Sequence, residues 1–273
     1  MTDDSERLRR GSSFGAAAGA YDEHRPGYPE AAIRWALEPV TTGTVAGDIP
    51  GGDGLAGLPV LDLGAGTGIL TAQLVRLGLA VAAVEPDPAM LGTLRRRLTS
   101  VPAMDGTAES IPLPDASVRA VLCGQAMHWF DLERSLPDIA RVLSPGGVLA
   151  ALWNTDDDRA DWVAGLHAAA EGAGGPAVSS YRAQTVNAWF RKASGSAAFE
   201  PTEIEDFPHG YARTADSLVA AFATHSKFLV MPSDQRERVL GQVRSYVRSR
   251  PETSGGEFTM PMVTSVLRTT RKR

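Results

Sequence analysis

The sequence offers almost nothing to disulfide, metal or membrane chemistry. Cys123 is its single cysteine, so it can form neither an internal disulfide nor a cysteine-based metal site. No stretch reaches the ~18 apolar residues of a membrane-spanning helix. The polar start MTDDSERLRR runs into no apolar segment of the signal-peptide kind. A cytoplasmic protein with no membrane partner is the expectation. Basic excess is missing too: a formal net charge of −5 gives no support to broad phosphate-backbone binding, so no nucleic-acid partner is expected. The basic end RTTRKR reads as a solvated terminus. There is no internal repeat. Asp156, Asp157 and Asp158 form an acidic run without further carboxylate-rich spacing, which reads as the N-cap of the next helix rather than as a metal cluster. No metal is expected, and the oligomeric state is left open.

What is present is an ordinary globular composition, 43% apolar over 273 residues, enough for one large α/β domain or for a domain with a cap. Residues 41–59, TTGTVAGDIPGGDGLAGLP, are rich in glycine and small residues and read as a flexible connection. A strand–helix alternation follows. VLDLG, AVAAVE, VPAMDG, SVRAVLCGQ and GGVLAALWN read as strands. Helices are expected over Ile69–Gly78, over Pro88–Leu98 with Asp87 as N-cap and Pro88 at the first position, and near Glu133–Leu143. Strands joined by helical crossovers imply a parallel sheet covered on both faces. Beyond Asn154 the pattern loosens, with helices expected over Asp161–Glu171, Ser180–Ser194, Ser217–Thr224 and Ser233–Arg250. PTEIEDFPHGYAR and EFTMPMVTSVLRTTR read as two last strands.

Glycine is costly in regular structure, so Gly64, Gly66 and Gly68 directly after the first strand suggest that something approaches the backbone there. In a parallel α/β sheet, ligands sit beyond the carboxyl ends of the strands, where this first turn lies. Glu85 closes the second strand about twenty residues on, the spacing of an acid that grips ribose hydroxyls. Two nucleoside ligands compete for such a site. A dinucleotide calls for G-x-G-x-x-G, whose third glycine falls at Ile69. The pattern present is D-x-G-x-G-x-G, led by Asp62.

LDLGAGTG followed by Glu85 resembles the first two motifs of class I S-adenosylmethionine-dependent methyltransferases. GTAESIPLPDASVRAVLCGQAMHWFD, ARVLSPGGVLAALWN and FGAAAGAYDEHRPGYP are similar to further segments of the type 11 group, the subset with trans-aconitate methyltransferase-like enzymes. The resemblance spans residues 12–154 strongly and the remainder loosely. It implies a Rossmann-like α/β sheet of seven strands, parallel but for one antiparallel C-terminal strand, with helices on both faces and a small helical cap. The implied division is 1–58 for N-terminal lid helices and linker, 59–154 for the cofactor-binding core, and 155–273 for the cap plus the last two strands.

The implied cofactor is S-adenosyl-L-methionine. Gly64, Ala65 and Gly66 would turn against its methionine part, with Asp62 fixing the turn and reaching towards the ammonium. Glu85 would hold the ribose and Pro86 would lie on the adenine, whose edge meets Thr107, Ala108 and Glu109. Thr107 stands where relatives often have Asp, which leaves a backbone contact there. Gln125 would line the methionine side, and Tyr21 and Arg25 would close over the cofactor as parts of a lid.

Methyl transfer needs alignment more than acid–base chemistry, because the sulfonium is already an electrophile. A carboxylate acceptor needs no base; a hydroxyl acceptor needs one, and His128 at the mouth of the fourth strand is the candidate. GQAMHWFD lacks the Asn- or Asp-Pro-Pro-aromatic run of enzymes that methylate base amines. Cys123 lies in an apolar strand and reads as core rather than nucleophile. Small-molecule acceptors remain, with O-methylation of a carboxylate or hydroxyl expected and Trp153, Tyr181, Trp189, Phe190 and Tyr211 as aromatic candidates to line their pocket. Two other readings stay open, a nicotinamide oxidoreductase on a related fold and a non-catalytic cofactor-binding regulator.

Overall fold

The computed structural model describes residues 25–41, 54–176, 195–223, 228 and 230–273. The helix expected over Ser180–Ser194 and most of the glycine-rich connection fall outside them. In chain order the elements are α1 (Glu30–Thr41), β1 (Pro59–Leu63), α2 (Ile69–Arg76), β2 (Ala80–Val84), α3 (Pro88–Arg97), β3 (Ala103–Met104), β4 (Val118–Gly124), α4 (Leu132–Val142), β5 (Leu143–Asp156), α5 (Asp161–Gly172), β6 (Glu203–Thr214), α6 (Ala215–Ala223), α7 (Ser233–Ser249) and β7 (Glu257–Thr270). The strands form one seven-stranded sheet in the order β3-β2-β1-β4-β5-β7-β6, six parallel and the C-terminal one antiparallel. Helix ends match the expected positions within two residues. The start of α3 matches in detail, since Asp87 accepts hydrogen bonds from the N–H groups of Ala89 at 2.9 Å and Met90 at 3.0 Å.

One local expectation fails. The N-cap of α5 is Ala160, which makes no side-chain capping bond. A turn in which Ala160 N–H donates to Asp157 O separates the acidic run from the helix, so the carboxylates come too early to cap it. Asp157 instead accepts from the Arg159 guanidinium at 2.7 Å, and Asp156 meets His167.

Among the described residues the chain divides into two compact units, one of Gly27–Asn154, Thr185–Phe207 and Thr264–Arg273, the other of Met1–Pro26, Thr155–Gln184 and Pro208–Val263. In the first, period-two alternation sends successive strand residues to opposite faces. Leu61, Leu63, Val121, Cys123, Leu149, Ala151 and Trp153 pack with Leu132, Leu136 and Ile139 of α4. Val60, Ala120, Leu122, Val148, Ala150 and Leu152 pack with Ile33 and Leu37 of α1 and with Leu70 and Leu74 of α2. Both faces are dry, so the strands read as nearly unbroken apolar runs. Each large aliphatic side chain removed from water contributes about 1.5–3 kcal/mol. At the far edge Arg268 of β7 lies 3.8 Å over the Trp35 ring and donates to Glu203 at 2.6 Å and Glu38 at 2.8 Å, tying α1 to the last strands.

The second unit has its own core. Val239, Val243 and Val247, spaced four apart along α7, pack with Trp162, Val163 and Leu166 of α5, with Phe222 of α6, and with Phe258, Met260 and Met262. Helices α5 and α7 approach closely at Gly165, where an added Cβ would strike the Tyr246 ring and hydroxyl. That hydroxyl donates to Trp162 O at 3.0 Å.

Ahead of α1, Gly27–Pro29 forms a strap fastened to the first unit. The Gln73 side-chain amide donates to Tyr28 O at 2.7 Å and accepts from Tyr28 N–H at 2.8 Å. Tyr28 Oη occupies the space that a Cβ at Gly124 would need, 2.6 Å away. Gln73→Leu keeps the volume and removes both bonds to the Tyr28 backbone. Urea denaturation should show it about 2 kcal/mol less stable than the parent. An unchanged midpoint would mean that the strap carries no stability.

Candidate functional site

Between Leu63 and Ile69 the backbone reverses through Gly64 (φ 72°), Gly66 (φ 57°) and Gly68 (φ 90°). Any L side chain pays about 1–2 kcal/mol in that left-handed region. Packing adds further demands. A Cβ at Gly64 would stand 2.6 Å from the Ala126 methyl, and one at Gly68 3.1 Å from Leu94 Cγ, whereas at Gly66 only Met90 Sδ lies near, at 3.8 Å. Two glycines therefore serve close packing as well as turn geometry, and Gly66 borders open room. Gly64 N–H and Ala65 N–H both donate to Val84 O, at 2.9 and 3.1 Å, which hangs the turn on the end of β2.

The next residue completes the lock. Glu85 is 6% exposed, and its two oxygens accept from two different loops, Gly66 N–H at 2.9 Å and Asp87 N–H at 2.8 Å. Burial raises its pKa, and the two backbone donors pull the other way. Each carboxylate oxygen still has a second lone pair, so both remain able to accept from a ligand hydroxyl.

Asp62, on β1, is fully buried. Its Oδ2 accepts from the Thr71 hydroxyl at 2.6 Å, while Oδ1 has no hydrogen-bond partner. Desolvation pushes its pKa up to about 7; the Thr71 bond opposes this and the Glu85 charge adds to it. A carboxylate so placed is relieved by a cation or a hydrogen-bond donor.

At the exit of β4, Gln125 adopts φ 54°, a strained value for a residue with a side chain, and such strain gathers at functional sites. Its N–H donates to Leu152 O at 2.9 Å and its Nε2 to Asn154 O at 2.8 Å. Asn154 in turn donates to Gly27 O at 2.9 Å and accepts from the Thr264 hydroxyl at 2.5 Å. His128 follows within a single 3₁₀ turn, Met127–Trp129, half-buried with its ring centroid 4.9 Å from that of Trp129.

Pro86 and Thr107 are exposed, Ala108 is buried, and Thr107 pairs with Ser110 in a tight turn. Glu109 accepts from Asp131 N–H at 2.8 Å, which fixes the start of α4. The structure thus joins Gly64, Ala65, Gly66 and Glu85 directly and sets Asp62 within electrostatic reach of Glu85. Arg25 belongs to the second unit, where its charge opposes that of Arg213, and Tyr21 lies outside the described residues. Trp153 is core, Tyr211 stacks under Arg213 at 4.4 Å, and Tyr181, Trp189 and Phe190 are outside the described residues. Thr71, Gln73 and Asn154 were not singled out by the sequence reading. The available signal was a polar residue standing on an otherwise apolar face, as in ILTAQL.

Asp62 makes stability depend on pH with a definite sign. Its folded pKa is raised, so its stabilising share is full below the unfolded value near 3.8 and disappears as pH climbs to about 7. Between pH 4 and 7.5 the unfolding free energy of the ligand-free parent should fall by up to about 4 kcal/mol relative to that of Asp62→Asn. Parallel curves for the two proteins would show that Asp62 titrates normally.

Comparison with known proteins fits this geometry. Residues 61–151, from β1 to β5, match the methyltransferase domain family. An uncharacterized methyltransferase of Mycobacterium tuberculosis is 37% identical over 259 residues, which is 94% of this chain and 95% of that protein. A malonyl-[acyl-carrier protein] O-methyltransferase of Pectobacterium atrosepticum is 30% identical over 152 residues, 55% of this chain and 54% of its own length. Among solved structures, a methyltransferase from Anaeromyxobacter dehalogenans superposes with a TM-score of 0.61 at 25% identity, covering 90% of this chain and 97% of that one. With a relative at that identity along nearly its whole length, the protein belongs to the class I methyltransferases, enzymes that take their methyl group from S-adenosylmethionine.

Proposed function

We propose that the enzyme methylates an oxygen atom, a carboxylate or a hydroxyl, of a small-molecule acceptor. The Gly66–Glu85 bond carries the cofactor half of this reading. It holds the turn in a left-handed form with open room at Gly66, and it leaves each Glu85 oxygen one lone pair for the ribose hydroxyls. Gly64, Ala65 and Gly66 would face the methionine part, Asp62 and Gln125 its polar end. Pro86, Thr107, Ala108 and Glu109 would meet the adenine. The buried, unpartnered Asp62 Oδ1 suits a cationic ligand such as this one. When bound, the cofactor supplies a methyl group already activated by its sulfonium.

What remains for the chain is to align the acceptor and exclude water. Cys123 is fully buried and burial pushes its thiol well above the usual range, which argues against a cysteine nucleophile and the base carbon chemistry that needs one. The malonyl-[acyl-carrier protein] relative supports an oxygen acceptor by its name. His128, at the exit of β4, is read as positioning that acceptor.

Two measurements test the reading. Glu85→Ala should bind S-adenosylhomocysteine about a hundredfold more weakly than the parent, since about 3 kcal/mol of charge-assisted hydrogen bonding is lost; equal affinity would remove Glu85 from the ribose. With methyl-labelled cofactor, label should pass to phenol, catechol or benzoate and not to aniline. His128→Asn should raise KM for the accepted compound more than it lowers kcat. Label on aniline alone would overturn the oxygen assignment.

A further inference from the structure

Two buried carboxyl groups lie behind the glycine turn of the first unit, and they are not equally supplied with hydrogen-bond donors. Glu85, after β2, has two backbone N–H groups, those of Gly66 and Asp87, one on each oxygen. Asp62 of β1 is fully buried and has the Thr71 hydroxyl alone, 2.6 Å from Oδ2, while Oδ1 makes no hydrogen bond. The titratable groups that face Asp62 are Glu85 beyond β2 and Cys123 of β4, an acid and a buried thiol, and α2 contributes the uncharged Thr71. Among the described residues no cation pairs with it.

That inequality decides where a shared charge sits. Two neighbouring carboxyl groups in a dry site resist being ionised together, and the one with more donors keeps the charge. Glu85 is that one, so the proton falls to Asp62, in keeping with a pKa pushed up to about 7 by desolvation and by the Glu85 charge. A cation brought to the turn changes the balance, because it stabilises an ionised Asp62 through space and need not touch it. S-adenosylmethionine and S-adenosylhomocysteine isolate this effect, since they differ by one methyl group and by the positive charge on sulfur.

We propose that Asp62 distinguishes the cofactor from its product: it releases a proton when S-adenosylmethionine binds and takes one back when the methyl group has left. This rests on the assignment of Asp62 to the methionine end made above and adds charge discrimination to it. On binding, the carboxyl O–H bond breaks and its proton passes to water, leaving a carboxylate that attracts the positive sulfur. Methyl transfer leaves that sulfur neutral, the attraction ends, and the carboxylate recovers a proton from water. The two proton transfers cancel over one turnover, and the product is held less tightly than the cofactor it came from. The sign follows from linkage. An ionised Asp62 favours the cationic ligand, so the preference for S-adenosylmethionine rises as pH passes through the range where Asp62 ionises and is level above it. Thr71 sets that range, because its hydroxyl bonds the charged form.

Calorimetric titration of the parent with each ligand, in two buffers of different ionisation enthalpy at about pH 7, counts protons without turnover. S-adenosylmethionine should release more of them than S-adenosylhomocysteine; equal release overturns the proposal. Between about pH 5.5 and 8 the ratio of the two affinities should shift at least about fivefold towards S-adenosylmethionine, and Asp62→Asn should hold it constant within about twofold. A shift that survives Asp62→Asn overturns the proposal. Thr71→Val should move the shift to higher pH and Thr71→Ser should leave it in place, so the acid is tested even where Asp62→Asn fails to fold; a shift at the same pH in Thr71→Val also counts against it. If Asp62→Asn weakens both ligands equally at every pH, the charge discrimination falls and the assignment of Asp62 to the methionine end stands. If it weakens neither, both fall.

Discussion

Two backbone amides from different loops converge on one buried carboxylate, and the architecture of the cofactor site depends on that convergence. Gly66 belongs to the turn after β1 and Asp87 to the turn after β2, and Glu85 holds both. Removing a carboxylate from water is unfavourable, which is why burial raises its pKa, and the two N–H groups replace the lost hydration. The same bonds set where α2 and α3 begin. Asp87, held through its own N–H, uses its side chain to cap α3, so a single acid governs the entry into a second helix at one remove.

Outward from this point the constraint becomes packing. The turn sits against Ala126 and Phe130 beyond β4, and the end of β4 is tied by Gln125 to the end of β5. Asn154 then links β5 to the strap ahead of α1 and to Thr264 of β7. Side-chain amides suit such junctions because they donate and accept at once and carry no charge to desolvate. Titratable side chains gather instead in the second unit, where Asp156 meets His167 and the Arg213 guanidinium lies over the Tyr211 ring.

The sequence was most legible where a single residue type answers a single local demand. Strand–helix alternation, the Asp87 cap and the buried Cys123 all follow from periodicity, capping chemistry or composition, and the structure reproduces each. Legibility stopped where a side chain spends its hydrogen bonds on partners far along the chain. Gln73 meets Tyr28 across 45 residues and Asn154 meets Gly27 across 127, and no window-based pattern contains both ends of such a bond. Glu85 falls between these cases. Its position and acidity were readable, but its hold on Gly66 and Asp87 was not, because the residues it grips contribute only backbone. The acidic run at 156–158 misled for a related reason. Its composition suits a cap, yet a four-residue turn intervenes and Asp156 pairs instead with a histidine eleven residues on.

The bridge between Arg268 and Glu38 spans 230 residues, and that between Thr264 and Asn154 spans 110. A nascent chain emerging from its amino end therefore makes β1 to β5 long before the residues that fasten their outer edge exist. Until the last strand leaves the ribosome, β5 has a bare edge and α1 lacks its guanidinium tie, a state prone to pairing with another chain. Contacts so distant also carry a high closure entropy, which slows the final step. The order of synthesis thus makes β7 the closing element of the fold, and the half-made protein passes through its most aggregation-prone stage just before that strand arrives.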